Sequence, residues 1–281
     1  MKKNALITLF TTALIFFTGC QSQVPCPCEK KGVVKVAIIG GMTMTGLWQD
    51  ISKMFEEQTG YSVEIVVTGP RDGLSENLRE GKVDLLTMHS GDVTTNLVAN
   101  GYGVNMQPWT MNELVIIGPS NDPAGIRGLN DGSEAFKRIA EKQANFVDFA
   151  GIGSREVCHN LWKKAGIRPQ GDWLLKDEST NHKEAVNFAE QNNAYVVVGR
   201  MPVLYGKIPM NKMEIMVEDD PAMRRPYIVM ETNPDMYPET NSEGAQCLSN
   251  FLLSSTVQNF LAQSPTNQQD NRPLFYPVVT R

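Results

Sequence analysis

Apolar residues along this chain change their spacing repeatedly, and each change marks an element. Residues 33–39 form an apolar run, as expected of a strand covered on both faces. A small-residue turn follows at 40–46. Leu47, Ile51, Met54 and Phe55 then recur at helical spacing, and Gly60 stops that helix. Residues 63–67 predict a second strand. Leu74 and Leu78 mark a short helix ended by Gly81, and residues 83–88 a third strand. Val93, Leu97 and Val98 lie on a helix closed by Gly101. Alternating strand and helix in this order predicts a parallel sheet with helices on both faces.

A second alternating set begins after a strand at 114–117 and a turn-rich stretch at 118–132. Phe136, Ile139 and Ala140 share one helix, and residues 146–149 form a strand. A helix opens near Ser154 and ends before Gly166, with Val157, Leu161 and Trp162 inward. Another runs over 181–191, where Asn181 and Glu184 are spaced as a cap pair. Strands follow at 195–198, 213–217 and 227–231, then helices at 248–253 and 257–263. Two such sets predict an α/β fold of two lobes. The expected division is 33–115 with 230–281 for the first lobe and 116–229 for the second. Sheets of this kind bind ligands beyond the carboxyl ends of their strands, so the cleft between lobes is the expected site.

The N-terminus reads differently. Lys2 and Lys3 precede a mostly apolar stretch at 5–17, too short to cross a bilayer comfortably. Thr18-Gly19-Cys20 follows, completing the pattern of an export signal over 1–19. A Cys after a small residue resembles a bacterial lipobox, which implies lipidation of Cys20, although Phe17 is larger than the residue often found there. An ordinary signal with an incidental Cys20 is the competing reading. Residues 20–32, with Pro25 and Pro27, read as an extended tether. The expected product is an extracytoplasmic, lipid-anchored monomer. Cys26 and Cys28 have no further metal ligands nearby. Cys158 and Cys247 are either a disulfide or two small buried residues.

Charge and motifs remove several function classes. Lys and Arg number 26 against 31 Asp and Glu, a formal net charge of −5, or −7 once Lys2 and Lys3 are removed. With no basic run, a nucleic-acid partner is not expected. The chain has no Gly-x-Ser-x-Gly elbow, no phosphate-binding loop with its Lys and no His-Glu-x-x-His. Cys158 and His159 are neighbours on a helix and point in different directions, and His182 stands alone. No catalytic set and no cofactor are expected. A hydrolase on the same fold is the remaining enzymatic alternative.

Several segments carry a family resemblance: Phe55-Glu-Glu-Gln-Thr-Gly60, Gly101-Tyr-Gly-Val-Asn105, Asn112-Glu-Leu-Val-Ile-Ile-Gly-Pro119, Asn121-Asp-Pro-Ala-Gly-Ile126, Leu161-Trp-Lys-Lys-Ala-Gly-Ile167 and Leu274-Phe-Tyr-Pro277. Together they resemble the tungstate-type substrate-binding proteins of ABC importers, within the type II periplasmic binding protein superfamily. The resemblance runs from about Val36 to Pro277. It implies a two-lobed fold with crossover strands near 113–118 and 227–233, an interlobe cleft, and delivery of a ligand to an ABC permease. The ligand motifs diverge. The family's Thr-Thr-Thr-Ser run is replaced by Ile38-Ile-Gly-Gly41, with hydroxyls later at Thr43 and Thr45. Its Arg-Gly-Asp-Asp-Ser-Gly-Thr-His segment aligns with Asp148-Phe-Ala-Gly-Ile-Gly-Ser-Arg155. Gly153 and Ser154 fit the Gly-Thr pair, the motif Arg has no counterpart, and Arg155 replaces the His.

The residues also support a ligand site on their own. Gly151 to Arg155 joins a strand to a helix start, where free backbone N–H groups and the helix dipole favour an anion. Gly153, Ser154 and Arg155 are its candidate contacts, against a plain capped turn. Thr43 and Thr45 after the first strand, Thr68 and Arg71 after the second, Ser90 after the third and Arg200 after a later one complete the set. For Thr43 and Thr45 the alternative is turn formation, and for Arg71 a surface pair with Asp72. Asp92 reads as a cap and His89 as a structural residue. Met42, Met44 and Met201 offer a thioether wall. The expected ligand is a small anion, an oxyanion such as tungstate or a small carboxylate. Open alternatives are a small organic solute against the methionines and a ligand-sensing lipoprotein without a transporter.

Overall fold

The computed structural model describes residues 31–179, 181–263 and 272–278. The export segment, Cys20, Cys26 and Cys28 lie outside the described residues. Among those described, no helix is long and apolar enough to cross a membrane.

In chain order, β1 (Gly32–Ile39) leads through α1 (Gly40–Thr43) and α2 (Leu47–Thr59) to β2 (Tyr61–Gly69), then α3 (Arg71–Arg79), β3 (Leu85–His89), α4 (Asp92–Ala99) and β4 (Gly103–Pro119). The second set comprises α5 (Gly132–Lys142), β5 (Phe146–Phe149), α6 (Ile152–Ala165), β6 (Leu174–Asp177), α7 (His182–Gln191), β7 (Val196–Gly199), α8 (Arg200–Leu204) and β8 (Met213–Val217). A 3₁₀ turn at Pro221–Met223 leads to β9 (Arg224–Thr232), α9 (Ser242–Leu253), α10 (Ser255–Gln263) and β10 (Tyr276–Pro277). The helix limits follow local chemistry. α2 lies between Gly46 and Gly60, both left-handed at φ 83° and 79°, and buries Leu47, Trp48, Ile51 and Phe55 along one stripe. The Asp131 side chain caps α5 by accepting from the N–H groups of Ser133 and Glu134.

The first sheet has the order β10-β4-β9-β3-β1-β2. β1 pairs in parallel with β2 and β3, while β9 runs antiparallel between β3 and β4. β4 is one 17-residue strand that serves both lobes. Its first part, through Glu113, pairs with β9; from Leu114 onward it pairs with β7 and β8. β5 and β6 pair in parallel, and a Phe146–Tyr195 bridge joins them to the β7 edge. Each sheet lies between its own apolar clusters. Trp48, Phe55 and Leu248 belong to one side of the first and Leu74, Leu86 and Met230 to the other. Phe136, Leu161 and Trp162 cover one side of the second, and Val147, Val186 and Val198 the other. The result is a two-lobed α/β fold.

Residues 227–233 are not the second crossover. Tyr227, Val229 and Met230 are buried in β9 between two neighbouring strands of the first sheet. The chain instead returns through 218–223, where Asp219 takes a positive φ of 66° and Pro221 opens the 3₁₀ turn. Cys158 and Cys247 are both free and belong to different lobes' packing, so no disulfide joins them.

Candidate functional site

Arg225 bridges the segment just after β3 and the first turns of α6. β9 places it there: Tyr227 pairs with His89 of β3, and Arg225 pairs with Asn112 of β4. The Arg225 guanidinium donates to Glu156 on α6 at 3.0 Å and reaches the Ser90 carbonyl at 3.5 Å. It also lies close against Gly153, where an added Cβ would sit 2.5 Å from Nη1. Only glycine permits that approach. The side chain is 8% exposed, an unusual degree of burial for a cation whose paired carboxylate is largely solvated.

Arg71 adds a second cation. It begins α3, and its guanidinium lies over Gly91, 3.5 Å from where a Cβ would be. Burial lowers the Arg71 pKa, and the positive charge of Arg225 lowers it further. The two cations therefore repel one another, with Glu156 as a shared partial counter-charge.

The start of α6 supplies neutral donors. Arg155 N–H bonds the Gly151 carbonyl at 3.0 Å, so the preceding N–H groups of Ile152, Gly153 and Ser154 come before the intrahelical ladder. The Ser154 hydroxyl is buried and has no hydrogen-bond partner among the described residues. An unsatisfied buried hydroxyl is unfavourable by about 1–3 kcal/mol, a strain that a bound acceptor would relieve.

Two imidazoles flank this centre. His89 stacks on Tyr227 with ring centroids 4.1 Å apart, and its Nε2–H donates to Asn112 Oδ1 at 3.2 Å. Because that oxygen can only accept, the Nε2 tautomer is assigned. Burial, then the charge of Arg225, brings the His89 pKa down to about 3, so the ring is neutral. His182, at the start of α7, packs edge-on against Phe149 at 4.9 Å and is also shifted down by burial.

The sequence-predicted residues divide into those at the junction and those elsewhere. Thr43 and Thr68 meet, with hydroxyl oxygens 3.0 Å apart, and Thr43 also donates to the Gly40 carbonyl. Arg71, Ser90, Gly153 and Ser154 lie around Arg225. Thr45 instead closes the turn into α2, donating to Met42 O and accepting from Leu47 N–H. Arg155 is exposed on another side of α6, where it lines a separate cavity. Arg200 is 1% exposed and held by Glu113, Glu218 and the Pro273 carbonyl. Its charge already has these internal partners. Met42 and Met201 are core residues of the first lobe. Among the described residues, no group of three or more His, Cys, Asp or Glu side chains is arranged to hold a metal.

Arg225 and His182 were missed as candidates. The available signal was the Arg224-Arg225 pair directly before an apolar strand.

Comparison with known proteins adds the evolutionary setting. A family described as bacterial extracellular solute-binding protein matches residues 36–264. The tungstate-binding protein TupA of Peptoclostridium acidaminophilum is 26% identical over 287 residues, covering 99% of this chain and 98% of the relative. A putative ABC transporter anion-binding protein of Haloferax volcanii is 29% identical over 241 residues, covering 83% of this chain and 68% of the relative. Among solved structures, TupA from Desulfovibrio alaskensis superposes with a TM-score of 0.72 at 23% identity, covering 89% of this chain and 100% of that one. At that identity the structural match establishes the fold alone.

Proposed function

The chain belongs to the bacterial extracellular solute-binding proteins, and from that premise we propose that it captures a small oxyanion, tungstate first among candidates, for an ABC-type importer. The observation that carries this reading is the pairing of two buried or half-buried arginines with the start of α6, where the Ser154 hydroxyl has no partner among the described residues. A dianion between Arg71 and Arg225 would relieve their repulsion. It would also accept from the Gly153 and Ser154 N–H groups and from the Ser154 hydroxyl. Thr43 and Thr68, on the first lobe, would add two donors once their hydroxyls turn from the Gly40 carbonyl and from each other. In this reading Arg225 supplies the charge that the diverged strand-to-helix motif lacks.

A small carboxylate is the second reading. It is favoured by Gly40 and Gly41, which offer no side-chain hydroxyl where the related tungstate proteins carry a hydroxyl run. Calorimetry against tungstate, molybdate, sulfate, phosphate and small carboxylates distinguishes the two. Tetrahedral dianions binding at least tenfold more tightly than carboxylates supports the first reading; the reverse order overturns it, and binding of none rejects both.

The export reading places the protein outside the cytoplasm, processed before Cys20 and held to a membrane by acylation there. Mass spectrometry of the native protein tests this. A mature chain starting at acylated Cys20 is expected, and a chain retaining earlier residues or lacking lipid contradicts it.

A further inference from the structure

α6 has a second functional face. Arg155, His159 and Lys163 follow one another at four-residue steps and line a cavity of about 670 Å³, which places them along about 12 Å of one helical stripe. Arg168 enters from the loop beyond the helix. Among the described residues, no carboxylate lies within ion-pair distance of Arg155, Lys163 or Arg168, whereas neighbouring Lys164 pairs with Asp131 at 3.7 Å. The wall is apolar and closely packed. Trp162 is 6% exposed and packs on Phe136, with centroids 4.1 Å apart, and against Phe146 and Trp173.

We propose that this cavity binds a planar organic anion, an aryl carboxylate or sulfonate, with its ring on the Trp162 wall and its charge among Arg155, Lys163 and Arg168. The volume suits a ligand of ring size and exceeds what a tetrahedral oxyanion fills. Unpaired cations beside apolar surface match an amphiphilic anion better than an inorganic one, which would leave the wall wet. Asp148, on the same lining, sets the polarity: it repels a second acidic group and accepts from a ligand hydroxyl or amine. Cys158 also faces this cavity, but burial raises its thiol far above the range where it ionises. Recognition is therefore non-covalent. The site is separate from the cleft, because none of Gly153, Ser154, Glu156 and Arg225 lines this cavity.

The probe is 8-anilinonaphthalene-1-sulfonate, whose fluorescence rises on transfer to an apolar site. The full-length protein should bind one probe per chain, undisturbed by saturating tungstate. Arg155→Gln with Lys163→Gln should weaken binding by about tenfold, corresponding to the loss of two partly solvated charge contacts. Both positions are exposed, and an unchanged melting temperature confirms that the fold is intact. The uncharged analogue N-phenyl-1-naphthylamine should bind at least tenfold more weakly than the sulfonate. Equal binding of the two probes, no effect of the double substitution, or displacement by tungstate each overturns the proposal.

Discussion

Gly153→Ala separates stability from binding. The substitution adds a Cβ at the second residue of α6, 2.5 Å from Arg225 Nη1 and 3.1 Å from its Cζ. The obstructing atoms belong to the end of a long side chain, so the helix stays and Arg225 moves. Alanine for glycine within a helix is favourable by about 0.4–1 kcal/mol. Losing the Arg225–Glu156 pair removes at most about 1 kcal/mol, because Glu156 is 58% exposed. These effects nearly cancel, and the urea midpoint should move little. Binding should not be spared. An arginine displaced from the start of α6 forfeits a charge-assisted contact of about 1.5–3 kcal/mol, or about 10- to 150-fold in Kd. Calorimetry with tungstate, alongside urea unfolding followed by tryptophan fluorescence, reads both quantities. A variant that binds like the wild type refutes the placement of Arg225 against the ligand. One that loses several kcal/mol of stability refutes the claim that only the side-chain end must yield.

Glu113 supports the junction of the two lobes. Its buried carboxylate receives Arg272 at 3.0 Å, the Tyr276 hydroxyl at 3.0 Å and the Asp219 N–H, with Arg200 at 3.6 Å. Burial pushes this carboxyl up while Arg272, Asp219 N–H, Arg200 and Tyr276 pull it back, yet Arg272 is itself held high chiefly by Glu113 against its own desolvation. Four donors on one carboxylate favour the ionised form. Glu113→Gln should therefore lower stability by about 3 kcal/mol, roughly 6–12 °C in Tm, and a shift under 2 °C would contradict the role. For His89, the native pKa of about 3 lies below the ordinary 6.5. The unfolded state then binds the proton first, so this contribution to stability is lost as pH falls from 6.5 toward 3. His89→Gln should flatten the decline in urea midpoint over that window; an unchanged pH profile would show that His89 does not cause it.

The alternation of strands and helices was readable because buried strands and one-sided helices impose different apolar periods. β6 was missed because Leu174–Asp177 is short and at most half-buried. The first half of β4 was missed because Asn105, Gln107 and Pro108 interrupt its pattern. Local context also misled. Arg200 follows a strand as an anion contact would, but its partners Glu113 and Glu218 come from distant segments. For Arg225 the Arg224-Arg225 pair was the local signal, and it did not place the residue, since its position depends on β9 lying between β3 and β4. Such pairings are set by the tertiary fold and not by any window of sequence.

The central claim is that the anion sits between Arg225 and the first turn of α6. The direct test is calorimetric titration of tungstate into the wild type, Arg225→Gln and Arg155→Gln. The geometry predicts a loss of at least about tenfold in affinity for Arg225→Gln and no change for Arg155→Gln, whose side chain lines the other cavity. Wild-type affinity in Arg225→Gln, with loss in Arg155→Gln, would contradict the site.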